Sequence, residues 1–277
     1  MDSLKKKELL KTAADIRIGI IEAVHSAKSG HPGGSLSCAD ILTYLYFEHM
    51  NIDPKDPKKE NRDRFVLSKG HAAPGLYSTL ANRGYFDVSE LKNLRHIGSF
   101  LQGHPDMKHT PGVDMSSGSL GQGISAACGM ALSAKHFGNN FNVYTVLGDG
   151  ELEEGQVWEA AMFAGNKGLS NLTAFIDFNN LQIDGTIDEV NSAKPIDKKF
   201  EAFNWYVITI DGHDFDQIEA ALKEAKTVDK PVAIIANTVK GKGVSFMENQ
   251  VSWHGSAPND EQYETAMAEL KAYKAAL

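Results

Sequence analysis

From Asn142 to Val239, short apolar runs alternate with amphipathic helical segments, and this alternation restricts the folds open to the chain. The apolar runs predict buried strands at 142–148, 171–178, 204–211 and 231–239. Helical periodicity fills 153–168 and 214–227 between them. Strands separated by helices are joined by crossovers, which build a parallel sheet with helices on both faces. We therefore predict an α/β fold with a doubly wound, mostly parallel sheet.

The remainder of the chain predicts mainly helices. An amphipathic helix near the N-terminus is indicated by apolar residues at helical spacing, namely Leu9, Ala13, Ile16, Ile20 and Val24. Residues 64–68 predict a short strand, whereas 75–84 and 123–138 predict helices that end at glycine. We find no internal repeat or linker. A single domain over 1–277 is therefore expected, with a terminal helix at about 259–277.

Composition excludes some classes of function. The chain carries 28 Lys and Arg against 36 Asp and Glu, a net charge of −8, which disfavours binding to nucleic acid or to an anionic membrane. No signal peptide and no apolar run near the ~18 residues of a membrane span is present, so we expect a cytoplasmic protein. Cys38 and Cys128 lie in apolar helical patterns and are expected to be buried, reduced thiols.

Polar residues follow two consecutive predicted strands. Asp149 lies between two glycines after the first strand, and Asn179 and Leu181 follow the next. Ligands of open parallel sheets bind beyond the carboxyl ends of the strands. The Asp149 carboxylate, the Asn179 side-chain oxygen and a backbone carbonyl such as that of Leu181 form a ligand set for Mg²⁺ or Ca²⁺. Gly150 has no side chain and allows an anion to approach the backbone. The two segments that follow these strands therefore predict a site for a metal with a diphosphate.

The segment GDGELEEG lacks the G-x-G-x-x-G spacing, which disfavours a nicotinamide dinucleotide as the ligand.

Four histidines lie beside glycine, namely His31, His71, His104 and His254. They could form a metal cluster or a catalytic constellation, but no pair has a close H-x₃-H spacing, so a histidine metal cluster is disfavoured. We interpret the other histidines as structural or exposed: His25, His49, His96, His109, His136 and His213.

The GDG motif, followed 30 positions later by Asn179-Asn180, resembles the cofactor and metal motif of thiamine diphosphate enzymes. Neighbouring motifs narrow the resemblance to the transketolases along nearly the whole chain: SGHPGGSLSCADIL, DRFVLSKGHAAPGLYSTLA, QGHPD, TPGVDMSSGSLGQG, GDGELEEGQVWEA and KGKGVSFMENQVSWHG. The chain is similar to the N-terminal, thiamine diphosphate-binding domain of that family. It departs from many single-chain members at Ser119, where they have proline.

The resemblance implies thiamine diphosphate and Mg²⁺ (or Ca²⁺) as cofactors, with Asp149, Asn179 and the Leu181 carbonyl on the metal. The residues that it places against the cofactor are His71, His254, Gly118, Leu120, Gly121, Gly150 and Glu151. His31 and His104 match histidines near the reacting carbon, and the resemblance gives His254 a catalytic as well as a binding role. Glu154 matches a glutamate that links paired active sites across a dimer interface.

The implied reaction is reversible transfer of a two-carbon ketol unit from xylulose 5-phosphate to ribose 5-phosphate, in the pentose phosphate pathway. Family members activate the cofactor and bind the sugar phosphate with residues of a second domain, which these 277 residues do not contain. We therefore expect a separately encoded C-terminal transketolase subunit, in an α₂β₂ assembly. A truncated chain is the alternative.

Other functions stay open. A transketolase-like subunit could act on another ketose, such as a branched or sulfonated sugar. Among other thiamine enzymes, 1-deoxyxylulose-5-phosphate synthase and dehydrogenase E1 components share the GDG and NN motifs, but Pro32 after His31 favours a transketolase. A non-catalytic, cofactor-binding regulatory protein is disfavoured, because the four histidines are kept together with Asp149 and Asn179.

Overall fold

The computed structural model describes residues 1–277, and a five-stranded parallel sheet forms its centre. The strands are β1 (Arg64–Leu67), β2 (Val143–Gly148), β3 (Leu172–Phe178), β4 (Tyr206–Asp211) and β5 (Val232–Asn237). Their order in the sheet is β1-β2-β3-β5-β4, and every neighbouring pair is parallel. The predicted α/β fold with a parallel sheet is confirmed.

Helices connect and cover the strands. Their bounds are α1 (Ser3–Ala27), α2 (Pro32–Ser37), α3 (Ala39–Tyr44), α4 (Ala73–Arg83), α5 (Gln122–Phe137), α6 (Gly155–Asn166), α7 (Ile187–Val190), α8 (Ile196–Ala202), α9 (Phe215–Ala225) and α10 (Asp260–Ala276). Helices α4 and α5 end at Gly84 and Gly138, both left-handed, as the sequence predicts. Helix α6 begins later than expected, because Gly150–Glu153 forms a 3₁₀ turn and Glu154 is the N-cap.

Alternate residues of each strand face opposite sides of the sheet and enter separate cores. Phe65 and Leu67 of β1 pack in the core that also contains residues of α1, α3, α4 and α9. Val66 packs in the core formed with α5, α6 and α8. The chain passes from β1 to β4 in one direction across the sheet and then reverses to reach β5. Because parallel crossovers are right-handed, this reversal moves α9 to the face opposite α6 and α8.

A third, smaller core joins the two ends of the chain. Ile16 and Ile20 of α1 pack with Met267 and Leu270 of α10, beside residues that follow β5.

No helix has both the length and the apolar character that crossing a bilayer would require. The loops at the carboxyl ends of β1, β2, β3 and β5 remain on one edge of the sheet, and the candidate site lies there.

Candidate functional site

A cavity of about 250 Å³ lies at the carboxyl ends of the strands. Among the residues predicted from sequence, those that line it are Asp149, Gly150, Glu151, Asn179, Leu181, His71, His254 and Leu120. Residues from the loops that follow β1, β2, β3 and β5 thus line the same cavity. His31, His104, Gly118, Gly121 and Glu154 lie outside its lining.

Asp149 is held by the backbone around it. Its carboxylate accepts hydrogen bonds from the N–H groups of Gly150 (2.9 Å) and Asn180 (2.5 Å), and the side chain is buried. Burial raises the pKa of Asp149 to about 7, and the negative charge of Asp177 adds to the shift. A nearby cation would stabilise the ionised form of this buried carboxyl group. The Gly150 N–H, predicted to face a diphosphate, donates here to Asp149.

Asn179 and Leu181 stand beside this carboxylate at the end of β3. Asn179 donates from Nδ2 to Asp177 Oδ2 (3.3 Å), and its Oδ1 accepts from the Leu181 N–H (3.1 Å). The Leu181 carbonyl accepts from Lys240 Nζ (3.0 Å). The cavity therefore contains carboxylate, amide and carbonyl oxygens together, which is the donor chemistry of a hard divalent cation.

Lys240 follows β5 and was not predicted as a site residue. Its ammonium group lies 3.0 Å from both the Leu181 carbonyl and His254 Nδ1, and the residue is 2% exposed. Gly33 allows this approach, since a Cβ there would stand 3.1 Å from Lys240 Cγ and 2.8 Å from the Trp253 carbonyl oxygen. Burial lowers the pKa of Lys240 to about 8. A nearby anion would therefore stabilise the charged form of this side chain.

Three of the glycine-flanked histidines form a cluster. The His71 and His254 rings stack with centroids 5.1 Å apart, and the His31 ring lies 5.2 Å from His71 and 5.5 Å from His254. Burial, followed by neighbouring positive charges, lowers the pKa of His31 to about 4 and that of His254 to about 3. These imidazoles are therefore neutral at physiological pH and can accept or donate hydrogen bonds. The buried Nδ1 of His31 has no hydrogen-bond partner within the chain.

His104 stands on a different loop, beside the Gly118 segment. A Cβ on Gly118 would lie 3.2 Å from the His104 ring, so the glycine allows close packing there. The His104 carbonyl accepts from the Tyr77 hydroxyl (2.8 Å), which fixes the loop. Burial and the Arg95 charge lower the pKa of His104. The cluster therefore contains three of the four predicted histidines, with His104 positioned separately.

Glu151 and Glu154 have contrasting environments. The Glu151 carboxylate is buried and accepts from the Gly121 and Gly148 N–H groups, at 2.9 and 3.0 Å, and from the Ser68 hydroxyl. It thus ties the Gly121 loop to the end of β2. Glu154 is exposed, and its side chain packs beside Gly121, where a Cβ would lie 3.0 Å from the Glu154 Cβ.

A buried ion pair, Lys69 with Asp177, forms part of the cavity wall. Lys69 Nζ donates to Asp177 Oδ2 (2.5 Å) and to the Gly34 carbonyl (2.6 Å), and Asp177 also accepts from the hydroxyls of Ser37 and Thr238 (2.5 Å each). Burial opposes the charge on Lys69, but Asp177 outweighs it and keeps the pKa of Lys69 above its ordinary value. The pair joins the loop after β1 to the end of β3. Sequence patterns did not indicate Lys69, although it lies two residues before His71.

The protein-family model for the transketolase thiamine diphosphate-binding domain matches residues 9–273. The chain is 47% identical over 267 residues to a 6-deoxy-6-sulfo-D-fructose transketolase subunit of Clostridium sp. (strain MSTE9), covering 95% of this chain and 96% of that protein. It is 42% identical over 255 residues to one of the subunits of the apulose-4-phosphate transketolase from Phocaeicola vulgatus, covering 91% and 89%.

Among solved structures, transketolase from Campylobacter jejuni superposes with a TM-score of 0.89 at 35% sequence identity. The match covers 97% of this chain but 45% of that one. This chain therefore corresponds to less than half of the Campylobacter enzyme, whereas it matches nearly the full length of the two subunits.

Proposed function

Since this chain belongs to the transketolase family and corresponds to its thiamine diphosphate-binding N-terminal section, we propose that it is one subunit of a two-chain transketolase. The observation that carries this proposal is the convergence of Asp149, Asn179, Lys240, His71 and His254 on one cavity. The two relatives named as subunits support a separately encoded partner, because the alignments cover 96% and 89% of their lengths. An α₂β₂ assembly is part of the proposal.

The cavity fits a divalent metal with thiamine diphosphate. Asp149, Asn179 and the Leu181 carbonyl would hold Mg²⁺ (or Ca²⁺), while Lys240, His71 and His254 would face the diphosphate. The pKa directions support this, since buried Asp149 favours a cation and buried Lys240 favours an anion. When bound, the cofactor supplies the thiazolium, which acts as an electron sink for carbon–carbon cleavage.

The remaining roles follow from the position of each side chain. His31, whose ring packs against the cavity residues His71 and His254, is proposed to hydrogen-bond a substrate hydroxyl and to move its proton. His104 is proposed to orient the sugar from the opposite loop. Gly118, Leu120 and Gly121 would line the cofactor, with Glu151 fixing their loop, and Glu154 would contact a second copy across the dimer interface.

The substrate proposal has two candidates. The first is ketol transfer from xylulose 5-phosphate to ribose 5-phosphate. The second is transfer from another phosphorylated or sulfonated ketose, which the name of the Clostridium relative supports. In both cases the partner subunit would contact the distal end of the sugar.

The test is an assay of the purified chain with and without its partner subunit, supplied with Mg²⁺ and thiamine diphosphate. We expect little ketol transfer by the chain alone and substantial transfer after the partner is added. Parallel assays with xylulose 5-phosphate and 6-deoxy-6-sulfofructose decide between the donors. Strong activity of the chain alone would contradict the two-chain proposal.

A further inference from the structure

A buried network on the far side of Lys240 connects α1, α3 and the loop after β4. Asp40 is 4% exposed, and its carboxylate accepts two hydrogen bonds from Arg17, from Nη1 at 3.0 Å and from Nη2 at 2.6 Å. His213 Nδ1 lies 2.7 Å from the same Asp40 Oδ2. We name Arg17, Asp40 and His213 the support triad. None of these residues lines the cofactor cavity.

The support triad contacts both ends of the turn that carries Lys240. His213 Nε2 accepts from the Val239 N–H at 2.9 Å, and Arg17 Nε donates to the Lys242 carbonyl at 3.1 Å. Because His213 Nε2 is an acceptor, the ring proton lies on Nδ1 and is donated to Asp40. Asp40 therefore orients both side chains that bind the turn.

The turn itself is tightly constrained. Lys242 N–H donates to the Val239 carbonyl at 3.2 Å, and Gly241, with φ +78°, donates to the Gly33 carbonyl at 3.0 Å. A Cβ on Gly241 would lie 2.3 Å from the Met247 carbonyl oxygen. Lys240 extends from this turn to within 3.0 Å of the Leu181 carbonyl. A shift at either end of the turn would therefore move the ammonium group.

We propose that the support triad positions Lys240 in the cavity by holding Val239 and Lys242, the two residues on either side of the Lys240-Gly241 pair. Arg17, Asp40 and His213 are positioning residues, because they act through Lys240 and not on the ligand. The inference rests on the proposed function in one respect, namely that Lys240 faces a bound diphosphate. It adds residues of three separate elements to the determinants of cofactor binding.

Two substitutions of His213 separate its hydrogen bonds. In H213Q the side-chain oxygen reaches the position of Nε2 and can still accept from Val239, whereas in H213N the shorter amide can reach Asp40 alone. R17K keeps a positive charge beside Asp40 but lacks the Nε–H that binds Lys242. H49N is the matched control, since His49 bonds to the Tyr144 hydroxyl (2.9 Å) near the amino end of β2.

The first measurement is hydrogen–deuterium exchange of the full 277-residue chain without cofactor. H213N is expected to raise exchange at the Val239 amide, while H213Q stays close to wild type and H49N leaves this segment unchanged. The second measurement is calorimetric binding of Mg²⁺ with inorganic pyrophosphate. H213N and R17K are expected to weaken it about tenfold, the range seen when support for a ligand residue is lost, and H213Q by clearly less.

Equal effects of H213N and H213Q, or wild-type exchange and affinity in both H213N and R17K, would overturn the positioning role. Should H213N fail to fold, R17K and H213Q still decide the question by the same measurements. A wild-type chain that does not bind pyrophosphate contradicts the proposed function instead, and exchange at Val239 then tests the support triad separately.

Discussion

Replacing Asp149 with asparagine is expected to stabilise the metal-free chain and to remove its response to a divalent cation. The carboxyl group is 2% exposed and accepts hydrogen bonds from Gly150 and Asn180. Burial, together with the charge of Asp177, raises its pKa from 3.8 to about 7. Because the folded-state pKa lies above the unfolded value, the stability from this group is complete below pH 3.8 and is lost as the pH rises through about 7.

The pKa difference sets the size of the effect. One pKa unit corresponds to about 1.4 kcal/mol, so the shift at Asp149 costs about 4 kcal/mol at about pH 8, where the buried group is ionised. At about pH 5 it costs about 1.5 kcal/mol, because the group is protonated in the folded chain and mostly ionised in the unfolded one. The neutral amide removes this cost but leaves one backbone N–H without an acceptor, which costs about 1 kcal/mol. The net gain in the free energy of unfolding is therefore about 3 kcal/mol at about pH 8 and close to zero at about pH 5.

The assay is urea denaturation of wild type and D149N in the presence of a chelator at both pH values. D184N is the matched control, because Asp184 is an exposed carboxylate in the nearby loop and its replacement is expected to change little. A second series adds Mg²⁺ and thiamine diphosphate. Wild type is expected to gain stability from them by mass action, whereas D149N gains none.

A gain in D149N that is the same at both pH values would refute the electrostatic reasoning, since a surface or packing effect has no such pH dependence. Equal stabilisation of D149N and wild type by Mg²⁺ and thiamine diphosphate would refute the assignment of Asp149 to the metal.

Two further substitutions test other parts of the site. K240M is expected to weaken the binding of Mg²⁺ and pyrophosphate by at least about tenfold, because a charge-assisted donor is lost. The affinity is measured by calorimetry, and an unchanged affinity would contradict the role of Lys240. K69M leaves Asp177 as a buried, unpaired charge and is expected to lower the free energy of unfolding by about 3–5 kcal/mol. Adding D177N to K69M should recover part of this loss in urea denaturation, and strictly additive losses would argue against a coupled pair.

Local patterns in the sequence were sufficient for the sheet and for part of the cavity. The strands at 142–148 and 171–178 are confirmed, and β2 and β3 are neighbours in the sheet. Asp149 and Asn179, which were predicted to follow consecutive strands, consequently lie at adjacent strand ends. Short-range periodicity was enough here because burial on both faces of a parallel strand leaves a continuous apolar run.

The position of Lys240 in the cavity could not be predicted from local sequence patterns. The sequence predicted a strand at 231–239, but strand order is not contained in the strand's own residues. Only folding inserts β5 between β3 and β4, which brings the loop after β5 next to Leu181. The same holds for Lys69 and Asp177, which are 108 positions apart and whose charges meet in the interior.

Apolar periodicity and the short motifs therefore established the fold class, the family resemblance and the residues at the ends of β2 and β3. The tertiary structure placed His31 with His71 and His254 in one cluster, separated His104 from it, and brought Lys240 into the cavity with the support triad behind it. The physical reason is the range of the interactions. Helix and strand preferences act over a few residues, whereas burial, ion pairing and strand order depend on segments that meet only when the chain folds.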